Sequence, residues 1–213
     1  MTTPGRRFND AVTRFWSLAA PLYDLPALQR WVYQPAQDEV ILLLRAHGAR
    51  RVADIGCGTG ILAARIQSEV NPDEVYGVDM SDGMLEQAMA RTEDVEWRKG
   101  PAENLPFEDD SLDAVVTTTA FHFFDQPAAM AEFYRVLAPG GLVAVATVSP
   151  PLPQPLLRLT ASLANPVHSP PPDEMRQLFT DDGFTVTDQH RVQRPLWTTP
   201  VWDLITIGTK PKP

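Results

Sequence analysis

The sequence contains very little cysteine and no long apolar run. Cys57 is the single cysteine among 213 residues, so neither an internal disulfide nor a metal site built from cysteine pairs can form. A reducing compartment fits this composition. No stretch reaches the ~18 consecutive apolar residues of a membrane-spanning helix, and the first residues lack the apolar run of a signal peptide. We therefore expect a cytoplasmic protein with no membrane span and no metal site.

Positive charge is also scarce. Lysine and arginine total 18 against 27 acidic residues, which gives a formal net charge of -9. A net-negative surface attracts neither a phosphate backbone nor an anionic lipid surface, so nucleic acid and membrane are disfavoured as main partners. The apolar share of 44% and the charged share of 21% are typical of a globular protein. We expect a small-molecule partner and a monomer or homodimer.

Strand-like and helix-like segments alternate along the chain. This alternation predicts an α/β fold with a parallel sheet and helices on both faces. The last two strands follow each other without a helix between them, which predicts an antiparallel strand at or near one edge. The predicted strands are 51–55, 74–78, 95–99, 112–117, 142–148, 184–192 and 202–210. The predicted helices are 8–20, 27–47 (broken or kinked near Pro35), 61–68, 81–91, 127–137 and 173–180.

A glycine-rich segment gives the strongest local signal. The sequence VADIGCGTG runs from an apolar strand through Gly56, Gly58 and Gly60 into a helix. Glycine lets the backbone turn sharply and approach a ligand closely because it has no Cβ. A tight turn without a ligand is the alternative for this segment taken alone. A dinucleotide-binding loop does not fit, because its G-x-G-x-x-G pattern needs a third glycine where this chain has Ile61.

An aspartate on the next predicted strand gives the second signal. Asp79 ends the strand VYGVD, where a carboxylate can accept both hydroxyls of a nucleoside ribose. Helix capping is the competing interpretation of this residue alone. The glycine loop one strand earlier favours the ribose. Met80 follows and can cover one face of a purine, and Ser81 or Asp82 is expected to cap the next helix.

Four successive segments resemble the motifs of the UbiE/MenG-like class I S-adenosylmethionine-dependent methyltransferases. They are DIGCGTG, VDMSDGMLEQA, GPAENLPFEDDSLDAVV and AFHFFDQPAAMAEFYRVLAPGG, in the family's order between residues 50 and 148. The resemblance implies a Rossmann-like, doubly wound α/β fold with a seven-stranded, mostly parallel sheet and an antiparallel last strand. It also implies S-adenosyl-L-methionine as cofactor and S-adenosyl-L-homocysteine as product.

The resemblance divides the single methyltransferase domain, residues 1–213, into four parts. Residues 49–148 would form the cofactor-binding core, and residues 173–213 would add a helix and a strand pair. The N-terminal helices (1–48) and an insertion (149–172) would form a lid over the acceptor. Eight of the 21 prolines lie between residues 150 and 172 and mark this insertion.

The family motifs also assign cofactor contacts to individual residues. By resemblance, Asp79 would hold the ribose, Met80 would flank the adenine, and Asp54 would orient the loop and the methionine amino group. The residues expected around the methionine part and the sulfonium are Gly56, Gly58, Gly60, Thr117 and Thr118.

The adenine contacts depart from the family pattern at one position. The backbone N–H of Ala102 would meet the adenine ring. Many family members have aspartate just before this alanine, whereas this chain has Pro101, which lacks a side-chain acceptor. Glu103 is the expected substitute. Tyr23, in a Tyr-Asp pair similar to one in the family, is the N-terminal candidate.

A histidine after the fourth core strand is the candidate general base. The resemblance places the loop containing His122 opposite the acceptor, and the pKa of histidine suits base chemistry near neutral pH. Asp125 is expected to orient its imidazole. Packing or capping is the competing role of His122. His168, in the proline-rich segment, is a second candidate for the acceptor pocket.

Three functions remain open at this point. The first is O-methylation of a hydroxyl on a small polar acceptor such as a sugar, which His122 and Asp125 favour. The second is C-methylation of a prenylated quinone or lipid-like acceptor, as the family name implies. The third is a non-catalytic cofactor-binding module, which would predict erosion of the glycine loop or of Asp79, and both are intact.

Overall fold

The computed structural model describes residues 29–149, 169–194 and 202–213, and within them seven strands form one sheet. The strands are β1 (Arg51–Ile55), β2 (Glu74–Asp79), β3 (Glu96–Lys99), β4 (Leu112–Thr118), β5 (Leu137–Val148), β6 (Thr185–Arg191) and β7 (Asp203–Thr209). Their order across the sheet is β3-β2-β1-β4-β5-β7-β6. Strands β1 to β5 pair in parallel, and β7 runs antiparallel to both β5 and β6. The predicted mostly parallel, seven-stranded sheet is confirmed.

Five α-helices connect or flank the described strands. They are α1 (Gln34–His47), α2 (Ile61–Arg65), α3 (Asp82–Arg91), α4 (Gln126–Val136) and α5 (Pro172–Asp181). A π-helical turn, Gln29–Tyr33, precedes α1, and another, Ile66–Val70, continues α2. Within the described residues, no helix is long and apolar enough to cross a membrane.

Local sequence explains where several helices begin and end. Pro35 lies in the first turn of α1 rather than at a kink inside it, because the missing N–H has no partner to lose there. Gly48 ends this helix in the left-handed conformation, with φ at 72°, and its N–H bonds to Leu44. Ser81 caps α3 by accepting the N–H of Met84 at 3.3 Å.

Alternating side chains of the strands bury two cores, one on each face of the sheet. On the first face, Val52 and Ala114 belong to the same buried cluster as α1 and α2. On the opposite face, Ala53 and Val115 share a cluster with α4 and α5. Successive residues of a strand point to opposite faces, so near-continuous apolar strands supply both layers. This is the helix-covered sheet that the alternation predicted.

Strand β5 is longer than the sequence predicted. The Pro139-Gly140-Gly141 segment was expected to end a helix and precede a strand starting at Leu142. Instead the strand begins at Leu137, which pairs with Leu112 across an irregularity before regular pairing resumes at Leu142. The predicted helix 8–20, Tyr23, His168 and most of the proline-rich insertion lie outside the described residues.

Candidate active site

A cleft of about 250 Å³ opens at the carboxyl ends of the central parallel strands. Ligands of open α/β sheets bind at this edge, where the strand order reverses next to β1. Walls of the cleft come from the ends of β1, β2, β4 and β5 and from the loops that follow them. Its described lining is Tyr33, Ile55, Gly56, Gly58, Val78, Asp79, Met80, Ser81, Met84, Gly100, Pro101, Ala102, Glu103, Thr118, Thr119, Ala120, His122, Phe123, Phe124 and Val148.

The three glycines of the loop after β1 have different surroundings. Gly56 and Gly58 line the cleft, and both have positive φ. Gly60 is not in the described lining, and its predicted ligand contact stays a prediction. A Cβ on Gly60 would lie 2.4 Å from Cη2 of Trp97, and one on Gly77 would lie 2.3 Å from Cζ3 of the same indole. Gly60 is therefore required by close packing against an aromatic ring.

Asp79 binds the glycine loop and remains at the cleft. Its Oδ2 accepts the N–H of Gly58 at 2.9 Å, and its Oδ1 accepts the N–H of Ser81 at 2.8 Å. Burial raises the pKa of this carboxyl, while the hydrogen bonds from Ser81, Gly58 and Met80 oppose that rise. The carboxylate thus fixes the loop from the neighbouring strand. Its three backbone N–H donors occupy three of its roughly four lone-pair sites, which leaves acceptor capacity for a ligand hydroxyl.

Asp54 lies behind the loop rather than in the lining of the cleft. The residue is 2% exposed, its Oδ2 has no hydrogen-bond partner in the described part of the chain, and the backbone N–H of Ala63 bonds to the carboxylate. Ala63 lies in the first turn of α2, where backbone N–H groups lack partners within the helix. Burial, and secondarily the charge of Asp79, raises the pKa of Asp54 to about 8. This position fits the expected role of Asp54 in orienting the loop. Asp54 does not line the cleft directly.

The charged groups in the described lining of the cleft are carboxyls, and that of Asp54 lies behind it. In the described lining, no lysine or arginine accompanies Asp79. The start of α2, which would bind a pyrophosphate in a dinucleotide site, already donates a hydrogen bond to Asp54. An anion would meet a carboxyl there, whereas a cation would gain from both carboxylates. The site is therefore suited to a cationic ligand.

The far wall beside β2 and β3 contains the residues expected around the adenine. Met80, which is 41% exposed, and Ala102, which is buried, both line the cleft. Glu103 lines it too, but its Oε1 accepts the backbone N–H of Asp125 at 2.7 Å. Glu103 thereby ties the loop after β3 to the start of α4, and Oε2 is its remaining acceptor for an adenine amine. The adenine roles of these residues stay predictions.

At the end of β4, one of the two expected threonines lines the cleft. Thr118 lines the cleft, whereas Thr117 is fully buried with its Oγ1 unpartnered and does not. Thr119 and Ala120 continue the wall. Thr119 has φ at 59°, a conformation that is uncommon for a residue other than glycine, and its N–H bonds to Ala146 at 2.8 Å. The strand end is thus held in a bent backbone that brings residue 120 to within contact of Gly56.

His122 lies in the cleft without the partner that the sequence suggested. It belongs to a 3-10 turn, Phe121–Phe123, is 8% exposed, and has no hydrogen-bond partner on Nδ1 within the described residues. Burial lowers the pKa of its imidazole to about 4. Asp125 instead caps α4, accepting the N–H of Ala128 at 3.4 Å, and its orienting role toward the imidazole stays a prediction.

Comparison with known proteins decides the family. The sequence matches the family described as "Methyltransferase domain" over residues 52–141. A demethylmenaquinone methyltransferase from Symbiobacterium thermophilum is 31% identical over 176 residues, covering 64% of this chain and 69% of that protein. The chain belongs to the class I S-adenosylmethionine-dependent methyltransferases.

Other relatives of this methyltransferase act on different acceptors. A malonyl-[acyl-carrier protein] O-methyltransferase from Hahella chejuensis is 33% identical, covering 64% of this chain and 49% of that protein. A demethylmenaquinone methyltransferase from Deinococcus radiodurans is 32% identical, covering 67% of this chain and 62% of that protein. The methyltransferase therefore spans about half to two thirds of the length of these relatives.

Solved structures agree with the fold of the methyltransferase. A Haloferax volcanii methyltransferase solved with the activator Trm112 has a TM-score of 0.76 at 21% identity, covering 92% of this chain and 97% of that one. The [4+2]-cyclase SpnF has a TM-score of 0.74 at 18% identity, covering 95% and 96%. This fold also occurs in a protein named for a different reaction, a [4+2]-cyclization. The reaction of this chain therefore has to be inferred from the residues of its site.

The cleft of the methyltransferase fits S-adenosylmethionine in two respects. The carboxylate of Asp79 lines the cleft, and the carboxyl of Asp54 behind the loop, whose Oδ2 has no partner within the described residues, can ionise beside a cationic cofactor. The backbone at Gly58 approaches the cleft without a side chain. Within the described residues, no group of three or more His, Cys, Asp and Glu side chains is arranged to hold a metal ion.

Sequence reasoning missed several wall residues of the methyltransferase. Thr119, Ala120, Phe123 and Phe124 follow the end of β4, so the rule that ligands meet the carboxyl ends of parallel strands could have identified them. Tyr33 is a further wall residue, and no motif of the sequence points to it. It lies in the π-helical turn before α1, which Arg194 contacts at the carbonyl of Trp31. This contact joins residues far apart in the chain, so the sequence has no local signal for the place of Tyr33 in the wall.

Proposed function

We propose that this methyltransferase methylates a hydroxyl oxygen of a small-molecule acceptor, with His122 accepting the hydroxyl proton. One observation supports this most directly: a buried imidazole that is neutral at physiological pH, with Nδ1 unpartnered, lies in the cleft beside the end of β4. A neutral imidazole has a nitrogen lone pair, which is what proton abstraction requires.

The low pKa of His122 is compatible with this role. S-adenosylmethionine, when bound, supplies a methyl group on a cationic sulfur. A hydroxyl oxygen that is being alkylated becomes far more acidic than an imidazolium, so a base with pKa about 4 can accept its proton as the new bond forms. The apolar neighbours of His122, among them Phe123 at 4.2 Å between ring centroids, exclude water from the imidazole. The main contribution of the protein is orientation of the reacting groups.

The walls favour a ring or other partly apolar group next to the hydroxyl. Phe123, Phe124 and Val148 line the cleft with Tyr33. A carboxylate acceptor, such as the one named for the malonyl relative, would need a cation that the described lining lacks. The second candidate is C-methylation of a quinone, which the same aromatic walls and the demethylmenaquinone relatives support.

An acceptor screen with labelled cofactor tests the proposal. Sugars, phenols and quinones are incubated with the protein and methyl-labelled S-adenosylmethionine, and the methylated atom is identified. We expect O-methylation. Transfer to carbon only, with every hydroxyl acceptor inert, would favour the quinone reaction instead.

His122→Ala tests the base. We expect S-adenosylhomocysteine affinity within about twofold of the wild type and at least ~100-fold slower transfer to a hydroxyl, the scale of general-base catalysis. His47→Ala is the matched control, because His47 is exposed at the end of α1, away from the cleft. At saturating cofactor, kcat of the wild type should show no break near pH 6.5, since His122 is neutral well below that value. Full activity of His122→Ala on a hydroxyl acceptor removes His122 from the mechanism.

A further inference from the structure

A buried ion pair lies behind the β5 end of the cleft. The guanidinium of Arg194 pairs with the carboxylate of Asp203, and both side chains are only 3% exposed. The same guanidinium donates from Nη1 to the carbonyl oxygen of Trp31 at 2.9 Å. Arg194 therefore connects three parts of the chain: the residues that follow β6, the start of β7, and the π-helical turn before α1.

Two wall residues of the cleft are built directly on this pair. Asp203 pairs with Val148 in the antiparallel register of β7 and β5, and Val148 lines the cleft. Tyr33, two residues after Trp31 in the same π-helical turn, also lines it. The ion pair thus lies between the π-helical turn and the end of β5. It therefore sets the distance between these two elements.

Stability alone does not account for the pair. Taking two charges out of water costs several kcal/mol per ion, and apolar replacements of buried pairs are often neutral or stabilising. This pair is also incompletely satisfied, because the buried Nε of Arg194 and Oδ1 of Asp203 have no partner among the residues that the structure describes. The pair therefore adds little stability, but it holds the π-helical turn against the start of β7. We explain the pair by this positioning of the turn.

The order of the strands indicates which ligand meets this end of the cleft. Asp79 ends β2, and β1, β4 and β5 follow across the sheet. Strands lie about 4.8 Å apart, so the end of β5 is about 14 Å from the end of β2. With the ribose of the cofactor at Asp79 and its methionine at the glycine loop of β1, the β5 end is left for the acceptor.

We propose that Arg194 and Asp203 are positioning residues that hold Tyr33 in the wall of the acceptor end, where Tyr33 contacts the acceptor. This inference rests on the proposed function only in assigning the β5 end to the acceptor. The chemistry of Tyr33 suits such a contact, because burial, and secondarily the charge of Asp203, raises the pKa of its phenol. The hydroxyl stays protonated and hydrogen-bonds a polar group of the acceptor without adding charge.

Fluorine NMR of the full chain labelled with 3-fluorotyrosine tests the positioning. The chain has four tyrosines, and Tyr33→Phe assigns the Tyr33 resonance by its disappearance. We expect Arg194→Met and Asp203→Asn to shift or broaden this resonance, and Asp203→Asn to lower the pH at which it titrates. Asp203→Asn keeps the shape of the side chain, so it serves if Arg194→Met does not fold. Arg65→Met, which removes a partly exposed ion pair with Asp38, is the control and should leave the resonance unchanged.

Calorimetry with S-adenosylhomocysteine tests whether Tyr33 contacts the acceptor or the cofactor. We expect Tyr33→Phe and Asp203→Asn to bind it within about twofold of the wild type, and to raise KM for an acceptor found in the screen by about tenfold with a smaller change in kcat. An unmoved Tyr33 resonance in both variants of the pair overturns the positioning role. A tenfold loss of S-adenosylhomocysteine affinity in Tyr33→Phe overturns the acceptor role. Failure of every acceptor in the wild type would contradict the proposed function and leave the resonance result intact.

Discussion

Replacing Asp54 with asparagine should remove a pH dependence from cofactor binding. The pKa of Asp54 is raised to about 8, so the free protein holds this proton at neutral pH. Its neighbours are Asp79, whose charge opposes ionisation, and Cys57, whose thiol pKa is itself raised by burial and by both carboxylates. A cationic cofactor favours the ionised carboxyl, so binding should expel the proton and weaken as pH falls.

The size of the effect follows from the pKa. The ionised fraction of a group with pKa about 8 falls from roughly 0.76 at pH 8.5 to roughly 0.03 at pH 6.5. If the cofactor binds only the ionised form, its affinity falls by about 25-fold over this interval, equivalent to about 2 kcal/mol. The raised pKa of Asp79 acts in the same direction.

Calorimetric titration of S-adenosylmethionine at both pH values measures this change. Repeating each titration in two buffers of different ionisation enthalpy counts the released protons. We expect Asp54→Asn to bind with little pH dependence and without the proton release of the wild type. Equal wild-type affinities at pH 6.5 and 8.5, or the same slope in Asp54→Asn, would show that this carboxyl is already ionised in the free protein.

Three further substitutions separate ligand contacts from structural ones. Gly60→Ala should lower the free energy of unfolding by roughly 2–4 kcal/mol in urea titrations, from left-handed backbone and overpacking against Trp97. Trp97→Leu in the same chain should recover part of this loss; no recovery would contradict the steric cause. Asp125→Ala should lower the free energy of unfolding by about 1 kcal/mol, because the cap of α4 is lost. We expect kcat of the folded enzyme to be nearly unchanged, and a large fall in kcat would support a catalytic role of Asp125. Asp79→Ala should weaken S-adenosylhomocysteine binding at least ~10-fold, and calorimetry showing unaltered affinity would refute the ribose assignment.

The sheet could be predicted because its strands are encoded locally. In β1 and β2, apolar residues end in glycine or aspartate, and the predicted bounds agree with the structure to within one residue. The start of β5 could not be predicted in this way. Pro139 and Gly140 are turn-forming residues, but cross-strand bonds such as that from Gly140 to Lys210 keep the segment in the sheet. Tertiary hydrogen bonding outweighed local preference there.

The candidate site was predictable where residue type and position at a strand end indicate the same use. Asp79 at a strand end and Gly58 in a tight loop are in the cleft, as their chemistry suggested. Gly60 and Asp125 have structural roles that the sequence did not indicate. Glycine also serves close packing and aspartate also caps helices, and sequence alone does not distinguish these uses. Tyr33 depends on contacts between residues far apart in the chain, which no local pattern reports.

The antiparallel insertion of β7 between β5 and β6 has a consequence for how the chain assembles. Strand β6 is synthesised before β7 but has no neighbour in the sheet until β7 has paired with β5. During translation the nascent chain therefore presents β5 as an open, apolar edge, and unpaired edges of this kind recruit other chains. Aggregation on overproduction should accordingly be set by how quickly β7 docks, and slow docking would make co-translational chaperones important for yield.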